Sequence, residues 1–241
     1  MIRFYYVIIV SMPWIIYYVF KIRRVMKHPE KYSTEYRYGI ARNMVRTTMR
    51  NARVKTKCFG MENLPNEGGY IMYSNHQGKF DALGIIHGHD KPCSIAMDLK
   101  RSKMILTSEF VDVLDGIRLN RDDLREQLKS IRRMAEEVKN GRRFILFPEG
   151  GYANNGNALQ EFLPGAFKAA IWSKQPIVPV ALVDSYKSFG RNSLRLVTSQ
   201  VHFLKPLLYE DYKDLSTKEI AELVKGKIRE AIERALTQSL R

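Results

Sequence analysis

The sequence predicts an α/β domain with a mostly parallel central sheet flanked by helices, preceded by an N-terminal helical segment that associates with a membrane. Three observations lead there. From Cys58 onward, short β-branched runs alternate with helix-period segments. Phe4 to Phe20 is an uncharged run framed by basic residues. The basic excess is confined to one end: of the formal +15 carried by 241 residues, positions 1–57 hold +11, from thirteen Lys/Arg against two acids. An apolar content of 45% excludes a disordered chain, and no collagen-like repeat is present. Cys58 and Cys93 have no paired spacing, which argues against a disulfide framework or a cysteine-based zinc site and fits a reducing cytosolic compartment.

The first element is the run FYYVIIVSMPWIIYYVF, bounded by Arg3 and by Lys21, Arg23, Arg24 and Lys27. It is just long enough to span a bilayer, but Ser11 and Pro13 weaken a straight span, and Tyr5, Tyr6, Trp14, Tyr17 and Tyr18 prefer the headgroup zone. Both a span and a helix or kinked hairpin in one leaflet are open. No small-x-small cleavage site follows, so the run is read as retained. A second helix is predicted over Thr34 to Asn51. Arg42, Arg46 and Arg50 recur along it every four residues, a cationic stripe suited to anionic headgroups. Residues 1–51 are thus assigned to a membrane anchor with a basic amphipathic helix, and 52–241 to the α/β domain. Nucleic acid is rejected as the anionic partner, because no zinc finger, RNP-like run or recognition helix accompanies the charge.

Strands are predicted at Tyr70–Ser74, Ser94–Met97, Gly116–Leu119, Arg143–Phe147, Ile177–Val183 and Leu194–Phe203. Between them, Asp122 to Asn140 reads as a helix with Leu124, Leu128, Ile131, Met134, Ala135 and Val138 on its inner face, closed by Gly141. A last helix opens on the capping-box pattern Ser216-Thr217-Lys218-Glu219 and turns Ile220, Leu223, Val224, Ile228 and Ile232 inward.

Chemistry is concentrated after the first of these strands, in Ser74-Asn75-His76-Gln77-Gly78-Lys79-Phe80-Asp81. A histidine at a strand exit can remove a proton near neutral pH, and a carboxylate five residues on can fix its tautomer if the chain bends between them, a bend Gly78 would permit. Three other strand ends belong to the same rim of a parallel sheet, where ligands bind. Arg121 follows Gly116-Ile117-Arg118-Leu119 and suits a phosphate. Glu149, after Phe147-Pro148, suits a substrate hydroxyl or the orientation of Arg121, and Gly150 and Gly151 allow close approach of backbone amides. The third is the proline-interrupted strand Val178-Pro179-Val180.

With these segments in this order, the chain resembles the glycerolipid acyltransferases typified by bacterial lysophosphatidic acid acyltransferase. That family is marked by an N-H-x4-D box, a G-x-x-(apolar)-x-R segment, an F-P-E-G-T-R-S box and a V-P-V strand. The resemblance runs over about residues 60 to 205 and implies His76 as general base with Asp81 as its partner. It implies Asn75, Gly116, Arg121, Glu149, Gly150 and Gly151 around the substrate, and an N-terminal membrane helix pair. It also implies an acyl thioester donor, acyl-CoA or acyl carrier protein, a lysophospholipid acceptor, no cofactor, and a domain on the cytoplasmic side of the cell membrane. The chain departs from the family at two cationic positions. Gly151-Tyr152-Ala153 stands where Thr-Arg-Ser completes the third box, and Met97 stands where a lysine is usual; Lys79, Lys100, Arg101, Lys103 or Lys168 are the available substitutes.

The implied reaction is direct acyl transfer from the thioester to a hydroxyl activated by His76. No G-x-S-x-G elbow supports a serine hydrolase, and no P-loop or G-x-G-x-x-G motif supports nucleotide use by those routes. His87-Gly88-His89-Asp90 lacks further ligands at metal-site spacing, so no metal is expected. Two alternatives remain: a membrane-surface lysolipid-binding protein with this fold and no catalysis, and a glycerol-3-phosphate acyltransferase.

Overall fold

The computed structural model describes residues 2–190 and 192–238. Seven strands form one sheet in the order β1-β7-β6-β2-β5-β3-β4. They are β1 (Val54–Phe59), β2 (Tyr70–Ser74), β3 (Ser94–Asp98), β4 (Ile117–Leu119), β5 (Arg143–Leu146), β6 (Ile177–Val183) and β7 (Val197–Phe203). Every neighbouring pair is parallel except β6 and β7, so β7 and its partner β1 run against the other five. The nine helices among the described residues are α1 (Ile2–Val25), α2 (Thr34–Asn51), α3 (Asp81–Gly88), α4 (Leu99–Ser102), α5 (Thr107–Val113), α6 (Leu124–Lys139), α7 (Lys168–Ser173), α8 (Lys187–Gly190) and α9 (Thr217–Gln238).

Strand alternation divides the core into two layers. Met72, Val178, Val180 and Leu182 face α1, α2, α3 and α5. Ile71, Tyr73, Ala181 and Val183 face α6, α7 and α9. The central strands β2 and β6 are buried along their whole length, as a sheet covered on both faces requires. The sequence had marked no strand before Tyr70. β1 escaped notice because it is an edge strand whose Lys55 and Lys57 point outward between buried Val54 and Thr56, a pattern lost in the surrounding basic tract. Leu124, expected inward, is 68% exposed. Asp123 caps the helix by accepting from the Arg125 and Glu126 amides, so Leu124 is the first helical residue and overhangs the packed face.

The helix α1 is continuous through Pro13 and lies against α2 by Val7, Ser11, Tyr18, Ile22 and Val25. Asn51 donates to Ser11 Oγ at 2.9 Å. Both ends are tied to the body of the protein. The buried Arg3 guanidinium donates to the carbonyls of Ala52, Ser193 and Arg195, and Arg23 pairs with Glu109 on α5 at 2.6 Å. The opposite face exposes Ile2, Tyr5, Ile9, Met12, Ile16, Tyr17 and Phe20, and Trp14 is exposed on the flank of the packed stripe. By length and composition α1 is able to cross a membrane. The arginine stripe of α2 is broken at Arg42, which pairs with Asp90 at 2.9 Å and donates to the His87 carbonyl; Arg46 and Arg50 remain exposed.

Candidate active site

The carboxyl ends of β2, β3, β4, β5 and β6 share one rim, and the loop leaving β2 carries His76 into it. Asp81 opens α3 and is fully buried. Its Oδ2 accepts from His76 Nδ1 at 2.7 Å and from the Gly78 amide at 2.8 Å, and also from the Gln77 amide. Its Oδ1 accepts from Ser185 Oγ at the end of β6. A carboxylate only accepts, so Nδ1 is the donor in this bond, and in the neutral imidazole Nε2 is the ring's free acceptor. Nε2 has no hydrogen-bond partner among the described residues. The ring is fixed on both sides: it stacks on Phe147 at 4.3 Å between centroids and meets Tyr152 edge-on at 4.9 Å, leaving the side chain 17% exposed. The bend between His76 and Asp81 forms without a left-handed glycine. Gly78 contributes its amide to Asp81, not an unusual φ.

The loop is strapped to β6 from below. Asn75, expected among the substrate contacts, is 1% exposed, donates to the Leu182 carbonyl and accepts from the Leu182 amide. Its amide oxygen and nitrogen both bond the Leu182 backbone, joining the end of β2 to β6, and it supports the loop from a buried position. Gln77 extends this strap, donating to Leu182 O and Asn157 Oδ1 and accepting from the Ser185 amide. Gly116 is also corrected. It precedes β4 and so lies at the opposite end of that strand from Arg121; a Cβ there would stand 2.6 Å from Val111 Cγ1 and 3.0 Å from the Ile95 carbonyl. Close packing, not substrate, requires that glycine.

Arg121, Glu149, Gly150 and Gly151 do reach the rim. Glu149 Oε2 accepts from Gln160 at 2.6 Å, and Gln160 also donates to the Gly151 carbonyl, bracing this loop. Burial raises the Glu149 carboxyl above the usual carboxylate range, with the Gln160 bond opposing that rise. Among the described residues Glu149 forms no ion pair with Arg121, whose carboxylate partner is Asp98 at 3.7 Å. Gly150 has φ +75°, a left-handed conformation that favours glycine, and a Cβ there would lie 3.4 Å from Arg121 Nη1. Gly151 has open space where its side chain would be. Arg101, next to the missing cationic positions, sits over the Tyr152 ring at 5.3 Å.

His89 is a core residue. Its Nδ1 donates to the Lys91 carbonyl at 2.6 Å, its Nε2 accepts from the Tyr70 hydroxyl at 2.7 Å, and burial lowers its pKa to about 4. No group of three His, Cys, Asp or Glu among the described residues is placed to hold a metal ion. Ser185, Gln77 and Asn157 carried no sequence signal of their own. Only the expectation that the end of β6 reaches this rim pointed toward Ser185.

An α/β sheet that brings a carboxylate-oriented histidine and the Arg121 guanidinium to one rim places a proton acceptor beside positive charge. A family model described as Acyltransferase matches residues 55–183, more than half of the chain, and the chain belongs to that family. Among its relatives, sheep 1-acyl-sn-glycerol-3-phosphate acyltransferase alpha is 28% identical over 180 residues, covering 71% of this chain and 61% of its own. A probable 1-acyl-sn-glycerol-3-phosphate acyltransferase of Mycoplasma pneumoniae is 26% identical over 161 residues, covering 65% and 60%. The chain thus spans about three fifths of the length of these relatives. The fold matches the crystal structure of the 1-acyl-sn-glycerophosphate (LPA) acyltransferase PlsC from Thermotoga maritima, with a TM-score of 0.79 at 17% identity over 97% of this chain and 94% of that one.

Proposed function

We propose that the protein transfers a fatty acyl group from acyl-CoA or acyl carrier protein to the free hydroxyl of a lysophospholipid, converting 1-acylglycerol 3-phosphate to phosphatidic acid. The observation that carries this is the His76–Asp81 pair at the sheet rim, with Nδ1 occupied by Asp81 and Nε2 without a partner among the described residues. The activities named for the relatives supply the substrate class. His76 Nε2 takes the proton of the acceptor hydroxyl as its oxygen attacks the thioester carbonyl. Asp81 stabilises the imidazolium that forms. The tetrahedral intermediate collapses with cleavage of the C–S bond, and His76 returns the proton to the leaving thiolate. No covalent enzyme intermediate is required.

The same proposal places the protein at the cytoplasmic side of the cell membrane, with α1 lying in one leaflet. Its exposed Trp, Tyr and aliphatic face fits an interface, and Lys21, Arg24, Lys27, Arg46 and Arg50 fit anionic headgroups. The attachment of both helix ends to the same globular body favours a lying helix over a crossing one.

The test is release of free thiol from each donor in detergent with 1-acylglycerol 3-phosphate, comparing wild type with His76→Ala. Acceptor-dependent release that disappears in the variant is expected. Wild-type protein that binds the lysolipid but consumes neither thioester would overturn the reaction.

A further inference from the structure

Tyr152 is one of the two positions at which the sequence departs from the resemblance by losing a cation, and the structure places another cation, Arg101, against it. Tyr152 stands at the arginine position of the third box. Its ring meets His76 at 4.9 Å on one contact and carries the Arg101 guanidinium at 5.3 Å on another. Arg101 thus lies one aromatic ring away from the base. It forms no ion pair among the described residues, and its backbone amide is held by Asp98 Oδ1 at 3.0 Å, the cap of α4. The other oxygen of Asp98 faces Arg121 Nε at 3.7 Å. One carboxylate therefore organises the backbone of one arginine and the side chain of the other. The Nη atoms of Arg121 lie along Gly150, two residues before Tyr152, with no hydrogen bond to them among the described residues. Two of the other candidate cations are committed elsewhere: Lys100 pairs with Asp122 at 2.8 Å, and Lys79 lies over the Phe4 ring at 4.1 Å.

We propose that Arg101, seated on Tyr152, joins Arg121 to form the pocket for the phosphate of the acceptor lipid, replacing the cations missing at positions 97 and 152. The inference rests on the acyl-transfer reading for the identity of the ligand. In 1-acylglycerol 3-phosphate the hydroxyl to be acylated and the phosphorus are four bonds apart. With that hydroxyl at His76 Nε2, the phosphate must lie within one side-chain length of the histidine, and Tyr152, which touches the histidine, carries Arg101 on its ring. Guanidinium forks match phosphate oxygens in two-point contact, and an aromatic face restricts the long Arg101 side chain to the orientation that presents its fork. Tyr152 acts here as a positioning residue.

The experiment measures equilibrium binding of 1-acylglycerol 3-phosphate, uncharged 1-acylglycerol and inorganic phosphate in detergent, with kcat and KM for acceptor and donor in parallel. The proteins are wild type, Arg101→Gln, Arg101→Lys, Tyr152→Phe and Tyr152→Leu, each checked for an unchanged unfolding midpoint. Loss of charge-assisted bonds predicts about ten- to a hundred-fold weaker binding and higher KM for the phosphorylated acceptor in Arg101→Gln, with kcat, donor KM and binding of 1-acylglycerol unchanged. Arg101→Lys should recover part of the affinity, Tyr152→Phe nearly all, and Tyr152→Leu little. Inorganic phosphate should be weakened in the same variants if the pocket reads the phosphate alone. Less than a two-fold change in acceptor binding in Arg101→Gln overturns the proposal, as does a rise confined to the KM of acyl-CoA, which would assign Arg101 to the donor's phosphates. Absence of turnover in wild type, with the binding pattern intact, would sink the reaction and leave the pocket standing.

Discussion

Replacing Asp81 with asparagine separates the electrostatic role of this carboxylate from its structural one. Four donors converge on it: His76 Nδ1, the Gln77 and Gly78 amides, and Ser185 Oγ. An isosteric amide can set its oxygen toward the first three and its NH2 toward Ser185, whose hydroxyl accepts as well as donates. The fold should persist, with a loss of about 1 to 3 kcal/mol from weakening charge-assisted bonds. Catalysis should suffer more. At the 2.7 Å separation of Nδ1 and Oδ2, a full imidazolium–carboxylate attraction at an effective dielectric of about 20 is about 6 kcal/mol. Most of that charge develops on the way to the transition state, so kcat/KM should fall by about three to four orders of magnitude. Thiol release with saturating acceptor measures the rate, and urea unfolding measures the stability. A folded Asp81→Asn protein that keeps more than a tenth of wild-type kcat/KM would refute the assignment of Asp81 as the group that orients His76 and stabilises its charge.

Three further outcomes are expected. His89 has its folded pKa lowered to about 4 by burial, so the unfolded chain binds a proton that the native state refuses between about pH 6.5 and 4. Stability is therefore fully present above that window and is lost as pH falls through it, by about 3 kcal/mol in total; urea titrations of wild type and His89→Gln should show a flatter acid limb in the variant, and identical slopes would exclude His89 as the cause. Gly116→Ala should lower the unfolding free energy by about 1 to 3 kcal/mol because its Cβ meets Val111 and the Ile95 carbonyl; a raised acceptor KM with unchanged stability would return Gly116 to the substrate site. Ile9→Asp combined with Phe20→Asp, both on the exposed face of α1, should weaken sedimentation with anionic vesicles at least ten-fold without moving the unfolding midpoint, and unchanged sedimentation would refute α1 as the membrane contact.

What the sequence made legible follows the strength of each local signal. β2 and β6 keep their predicted bounds because fully apolar runs at the centre of a covered sheet leave no choice of face. Helix α2 likewise begins at Thr34 behind a Ser33 cap, whose hydroxyl accepts from the Tyr36 amide at 3.2 Å. β1 was hidden because an edge strand needs only half its residues to be apolar. At the site, the histidine and carboxylate were visible as chemistry, but their supports were not. Asn75 was a substrate contact only by the N-H-x4-D resemblance, yet its partner Leu182 is 107 positions away. Gly116 carried the same ambiguity: a glycine in a motif signals closeness to something, and only the packing says whether that is substrate or a valine.

The two-point attachment of α1 also bears on how this protein can be handled. Removing the apolar N-terminus is the usual route from a membrane-bound protein to a freely soluble one. Here that cut would unroof the face of α2 that carries Thr47 and Asn51, which bond Tyr18 and Ser11 of α1, and it would strip the Ala52, Ser193 and Arg195 carbonyls of the guanidinium that donates to them. The truncated chain would exchange one sticky surface for another. Trimming grease by polar substitution on the outer face of α1 is the workable alternative, because there the helix can stay as a lid on the core while its exposed apolar side is rewritten.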